Sequence, residues 1–172
     1  NFATSISPWV VTMDALEPFR VDTPKQEPAP LSYLKVDTAN GLDLNLEVTL
    51  QSASMDAPQT ISRSNMKYLY WSMEQMLAHH TVTGCNMRTG DLCGTGTISG
   101  PTEDSYGSML ELTWRGEKPI TLPNGETRKF LQDGDTVVMK GYCQGDGYRV
   151  GFGEVTGKIL HALKDHKRQA MD

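Results

Sequence analysis

Glu111 stands between Leu110 and Leu112 in the run Gly107-Ser-Met-Leu-Glu-Leu-Thr-Trp. A carboxylate set among apolar residues can serve as a general base or orient one. It can equally be structural, paired with a buried arginine or lysine, and the pattern leaves both readings open. Just upstream, Gly94-Thr-Gly-Thr-Ile-Ser-Gly is rich in backbone donors and hydroxyls suited to hold a carboxylate or a phosphate. It is no Walker loop, because no Gly-Lys-Ser/Thr follows, and it lacks the dinucleotide-binding spacing. A glycine-rich turn between strands accounts for it as well as a ligand cradle does. The stretch from Arg88 to Trp114 holds five glycines, Gly90, Gly94, Gly96, Gly100 and Gly107, and two short β-prone runs. That density calls for tight turns and close backbone approach.

The other reactive residues read more plainly. His79 and His80 fall at the end of a helical pattern, where positive charge complements the helix carbonyls, and no further ligand lies at metal-binding spacing. Cys85, Cys93 and Cys143 form neither a disulfide framework nor a zinc pattern. Cys93 and Cys143 are expected to be buried as small apolar residues. Glu47, on the polar side of a strand, is expected to be solvated. Gly141-Tyr-Cys-Gln-Gly-Asp-Gly-Tyr reads as a hairpin turn.

These residues need elements to position them. Leu42, Leu44, Leu46, Val48 and Leu50 alternate with polar residues and predict one strand over 42–50. Met66, Leu69, Tyr70, Met73 and Leu77 predict a principal helix over about 65–79, capped by Ser64 or Asn65. Met13 to Phe19 has room for one or two helical turns before Pro18, and Pro24, Pro28 and Pro30 make the next segment an extended connection. Met109 to Trp114 is expected as a strand. Leu122-Pro-Asn-Gly-Glu and Asp133-Gly-Asp are turns, the first with positive φ expected at both Asn124 and Gly125. Thr136 to Met139 and Tyr148 to Ile159 are further strands, and Leu160 to Asp172 a short helix with a tail. The fold class is α+β, mainly β: curled sheets with one principal helix.

The 172 residues suit one domain, with 38% hydrophobic and 22% charged content. A net charge of -5 without a basic run argues against nucleic acid; the one cationic cluster, Lys164 to Arg168, includes Asp165. No apolar run reaches membrane-spanning length, and no leader peptide is evident. Ile6 to Val11 reads as the interior of a packed segment, so the chain is expected to be the C-terminal portion of a larger catalytic domain.

Nearly the whole chain resembles the C-terminal half of the fumarylacetoacetase (fumarylacetoacetate hydrolase) family. The matching stretches are Asn1-Phe-Ala-Thr, Ile6-Ser-Pro-Trp-Val-Val, Met13-Asp-Ala-Leu, Lys67-Tyr-Leu-Tyr-Trp, His79-His and Gly90-Asp-Leu. They continue through Gly96-Thr-Ile-Ser-Gly-Pro, Gly107-Ser-Met-Leu-Glu-Leu-Thr-Trp, Thr127-Arg-Lys-Phe-Leu and Asp133-Gly-Asp. Gly141-Tyr-Cys-Gln-Gly-Asp-Gly-Tyr-Arg-Val-Gly-Phe-Gly completes the set. The resemblance implies a mixed β-roll and a cytosolic, homodimeric hydrolase acting last in tyrosine and phenylalanine breakdown. Its substrate would be a small β-diketo acid, 4-fumarylacetoacetate, cleaved at a carbon–carbon bond to fumarate and acetoacetate. A divalent ion, Mg²⁺ or Ca²⁺, is implied to polarise the diketone, and a His–Glu pair to activate water. By the same resemblance Glu111 is the catalytic Glu, Thr97 a substrate-binding residue and Thr4 a metal-site residue.

The implied catalytic His, the metal carboxylates and a lysine are expected upstream of Asn1, and Ala3 stands where related sequences commonly have Gly. A related hydratase or decarboxylase on a similar keto acid, and an inactive fragment or dimerisation module, are the alternative readings.

Overall fold

The computed structural model describes residues 4–36 and 40–162. Met13–Leu16 forms one helical turn, α1, continued by a 3-10 turn over Glu17–Phe19. Pro18 lies in the first turn of that 3-10 segment, where its missing N–H leaves nothing unpaired, so it shapes the exit instead of breaking the helix. Leu16 and Phe19 point into the core. Arg20–Val21, β1, pairs antiparallel with Gly41–Leu42, β2. Between them the proline-rich connection carries only a 3-10 turn, Ser32–Leu34, among the described residues.

The expected strand over 42–50 is divided. After β2 the chain turns and re-enters a sheet as Asn45–Gln51, β3. Asp43 donates its N–H to Phe19 O at 2.8 Å, and Asn65 Nδ2 donates to Asp43 Oδ1 at 2.7 Å and to Asn45 Oδ1 at 3.3 Å. Those bonds draw the backbone out of the ladder at Asp43, while Leu42 and Leu44 still reach the same core. On β3, Glu47 meets Arg63 at 3.2 Å on the solvent side.

Gln59–Asn65, β4, pairs antiparallel with β3, with a register shift between Val48 and Thr49. The principal helix is present but begins later and is shorter than expected: Met73–Thr81, α2. Asn65 remains strand and caps only a 3-10 turn at Met66–Tyr68, accepting from Lys67 N at 2.9 Å. The α2 cap is Ser72, in a capping box with Gln75. Gln75 is buried and also donates to Leu34 O at 2.8 Å, tying α2 to the proline-rich connection. The methionine and aromatic spacing therefore spans two elements with different faces, and Leu77, expected on the apolar face, is exposed.

A single-turn helix, Met109–Leu112 (α3), precedes a small hairpin of Ile120–Thr121 (β5) and Thr127–Arg128 (β6). In its turn Gly125 has positive φ and Asn124 does not: the Gly125 N–H bonds Leu122 O at 2.9 Å, so Pro123 and Asn124 are the central pair, and Pro123 fixes the first of them at negative φ. Thr136–Gln144 (β7) and Arg149–Lys158 (β8) then form a long hairpin; the turn expected over Gly141 to Tyr148 is narrower, because β7 runs past Met139 and stays paired with β8 as far as Gln144. The central sheet has order β4-β3-β7-β8, every pairing antiparallel. Bulges between Val48 and Thr49 and between Lys140 and Tyr142 bend this unclosed sheet, so the fold is mainly β, as expected.

Two apolar clusters hold it. Leu16, Phe19, Leu42, Leu44 and Cys143 form one, and Leu50, Met55 and Leu122 the other. Burial pushes the Cys143 thiol pKa up. Cys93, expected inside like Cys143, is exposed, because its loop runs over the surface without regular structure. Residues 160–162 are not helical, and the rest of the expected C-terminal helix, with the Lys164–Arg168 cluster, lies outside the described residues. No helix among the described residues is long and apolar enough to cross a membrane.

Candidate active site

The chain leaves α2 and runs irregularly from Gly84 to Gly100, so the first β-prone run of this region makes no strand. The second is a helix. Ser108 holds extended backbone, φ -141° and ψ 152°, and its Oγ accepts the Glu111 N–H at 3.3 Å. That is N-cap geometry, and Ser108-x-x-Glu111 is the sequence signature of a helix start. Alternating apolar residues suggested a strand at Met109–Trp114, but the local cap decided the backbone.

The correction changes the surroundings of Glu111. Leu110 is 52% exposed, so the carboxylate is not enclosed by leucines. It is half-buried and held by hydroxyls. Ser99 Oγ lies 2.9 Å from both Oε1 and Oε2, and Ser108 Oγ donates to Oε2 at 2.8 Å. Ser99 Oγ in turn accepts the Gly107 N–H at 3.0 Å. A relay of backbone amide, hydroxyl and carboxylate thus fixes the side chain of Glu111. No arginine or lysine pairs with it among the described residues.

Glycine is needed where the loop meets this helix start. A Cβ on Gly107 would lie 2.5 Å from Ile98 O and 2.7 Å from Thr97 Cγ2. Gly96, at φ +77°, turns the loop so that Ser99 can reach Glu111. Thr97, packed on Gly107 through its methyl, is exposed at the edge of the same group. Immediately after α3, Trp114 and Arg115 adopt φ of 49° and 58°, a left-handed conformation that costs non-glycine residues roughly 1–3 kcal/mol each. Buried Thr113 holds this turn: its Oγ1 lies 2.7 Å from Met109 O and 2.9 Å from Lys129 O, which share its one proton, and it accepts the Gly116 N–H at 3.1 Å. Strain held in place beside a fixed carboxylate is a common property of functional sites.

Of the three residues singled out from sequence, the structure brings Thr97 and Glu111 to one surface. Thr4 is exposed on the N-terminal lead. Ser99 and Ser108 were missed as site residues, although the Ser-x-x-Glu spacing signalled the second of them. His79 stacks on Tyr33, with its Nδ1 3.0 Å from the Tyr33 hydroxyl. Among the described residues no group of three or more His, Cys, Asp or Glu is placed to hold a metal ion. These residues do not by themselves make the implied divalent site.

A hydroxyl-anchored, half-exposed carboxylate beside an open threonine, on a bent antiparallel sheet, is an arrangement suited to acid–base work on a small polar molecule. Residues 1–160 match the family model described as fumarylacetoacetate (FAA) hydrolase C-terminal, and the chain belongs to that family. Among its relatives, the fumarylacetoacetase of Homo sapiens is 59% identical over 163 residues, covering 95% of this chain and 39% of that protein. The fumarylacetoacetase of Arabidopsis thaliana is 58% identical over 160 residues, covering 93% and 38%. That of Caenorhabditis elegans is 51% identical over 162 residues, covering 94% and 38%. The chain thus spans well under half the length of the curated relatives it matches.

Proposed function

We propose that this chain supplies the Glu111-bearing part of a hydrolase that cleaves 4-fumarylacetoacetate to fumarate and acetoacetate, closing tyrosine and phenylalanine breakdown. The observation that carries the reading is the Glu111 carboxylate, fixed by the hydroxyls of Ser99 and Ser108. In this scheme Glu111 orients an imidazole from the upstream half and supports the positive charge it gains on taking a proton from water. The water oxygen attacks the diketone carbonyl, and Thr97 Oγ1 offers the substrate a hydrogen bond at the edge of the site. A Mg²⁺ or Ca²⁺ ion, when bound, would polarise the diketone and stabilise the enolate leaving group. Thr4 would contribute one hydroxyl to it, with the carboxylate ligands coming from outside the described residues. A homodimer in the cytosol goes with this reading, and the three free thiols agree with a reducing compartment.

The test is hydrolysis of fumarylacetoacetate by the full-length protein, followed as loss of diketone absorbance. No loss beyond the uncatalysed rate rejects the activity. Within that protein, Ser99→Ala removes a hydrogen bond to a charged group and is expected to lower kcat about tenfold at nearly constant KM. An unchanged kcat would show that Ser108 alone fixes Glu111. Thr4→Val is expected to weaken Ca²⁺ binding by about tenfold, the worth of one lost charge-assisted contact. Calorimetric titration reads the Kd directly, and an unaltered value removes Thr4 from the metal site.

A further inference from the structure

A second concavity, of about 650 Å³, opens between α2 and the irregular loop that follows it. It uses none of the residues that hold Glu111. Met73, Met76 and Leu92 give it an apolar, polarizable wall, and His80, Cys85 and Cys93 bring two thiols and an imidazole to the same space. Cys85 Sγ lies 3.2 Å from His80 Nε2. Both side chains are exposed, and His80 sits in the last turn of α2. The remaining charged group in the wall, Asp91, already accepts the Arg88 N–H at 2.8 Å, and its charge disfavours anionic ligands. Cys93 makes no hydrogen bond among the described residues.

We infer that Cys85 and His80 form a nucleophile–base pair that captures uncharged α,β-unsaturated carbonyl compounds in this concavity. His80 Nε2 takes the proton of the Cys85 thiol. The sulfur then bonds the β-carbon of the enone, and the carbon–carbon π pair moves to the carbonyl as an enolate. The proton held by His80 returns to the α-carbon. The net change is addition of S–H across the double bond, with nothing oxidised or reduced. A thiol needs an adjacent base to be a good nucleophile near neutrality, and only one of the two cysteines in this wall has one. The volume lies within the range of small-molecule sites, and the methionine wall suits an apolar tail on the enone.

The experiment treats the full-length protein with benzylideneacetone, an uncharged aryl enone, and follows each cysteine by peptide mass. Cys85 is expected to be modified about tenfold or more faster than Cys93, with a rate that saturates as the enone concentration rises. His80→Gln is expected to bring Cys85 down to the rate of Cys93, and Cys85→Ser to abolish the fast phase. Cys143, buried in the core, reports folding, since it stays unmodified while the variant is native. Equal rates at Cys85 and Cys93, no labelling of Cys85, or a rate indifferent to His80→Gln in a protein whose Cys143 stays protected would each overturn the inference. A fast but unsaturating reaction would reduce the site to an exposed thiol without a binding cavity, and would overturn it too.

Discussion

Glu111→Gln in the full-length protein is expected to lower kcat by roughly 10²–10⁴-fold while KM moves little. Glutamine has nearly the same shape, so the helix start at Ser108 and the turn at Trp114–Arg115 should survive. What changes is charge and hydrogen-bond polarity. The carboxylate is an acceptor toward Ser99 at 2.9 Å and toward Ser108 at 2.8 Å, whereas an amide nitrogen accepts from neither. One hydroxyl must turn away, and the negative charge that would support an imidazolium is gone. Both losses fall on the step in which the proton is taken from water, which is why kcat should carry the effect. Glu111→Asp keeps the charge but withdraws the oxygens by about one methylene, beyond the reach of both serines, and is expected to recover only part of the rate. Steady-state kinetics on the three proteins separate the cases. Turnover near that of the unmodified protein in Glu111→Gln would reject the assigned role.

The largest stability effect is expected at Arg128, away from the site. Asp135 is 0% exposed and receives Arg128 Nε and Nη2 at 2.9 Å each, a bidentate pair. That partnership raises the Arg128 pKa further above its ordinary value. The two partners are not equivalent. Without Asp135, Arg128 still donates to Glu126 at 2.7 Å and to Thr127 O at 3.0 Å. Without Arg128, the Asp135 carboxylate keeps, among the described residues, only the Gln132 N–H, at 2.9 Å, as hydrogen-bond partner. Arg128→Met therefore leaves a buried charge almost uncompensated, with an expected cost of about 3–5 kcal/mol. Asp135→Ala should cost less, about 1–3 kcal/mol, the range for a lost hydrogen-bonding partner. Pairing Arg128→Met with Asp135→Leu should restore part of the loss, because it removes the stranded charge. Urea unfolding of the parent and the three variants tests the order. An Arg128→Met variant as stable as the parent would show that this pair contributes nothing net.

Legibility along the chain followed the range of the interactions. Two strands joined by a hairpin near the C-terminus and the proline-rich connection were readable, because alternation and turn chemistry are local, although the first strand runs on to Gln144 through residues read as turn. The helix over about 65–79 was located but misdrawn. Its apolar spacing ran through a strand end, a 3-10 turn and α2, and only the pairing of Asn65 with Asn45 shows where the strand stops. At Met109–Leu112 two local signals conflicted. Apolar alternation over six residues is weak, whereas a serine three residues before a glutamate satisfies helix-start donors, and the cap prevailed.

By itself the sequence determined the family and the mainly β class, since long motifs and periodicities are properties of the chain in order, and it singled out Glu111 and Thr97 for test. Only the tertiary structure decided what surrounds Glu111. The Ser99 hydroxyl reaches it from twelve positions away because Gly107 lets the loop lie against the helix start, and no spacing rule encodes such a contact. The same holds for Arg128 with Asp135 and for Cys85 with His80, where side chains meet through turns whose paths depend on packing. The stretch around Glu111 was legible as unusual from its glycines. Its chemistry, a carboxylate fixed by two serine hydroxyls, is a fact of three dimensions.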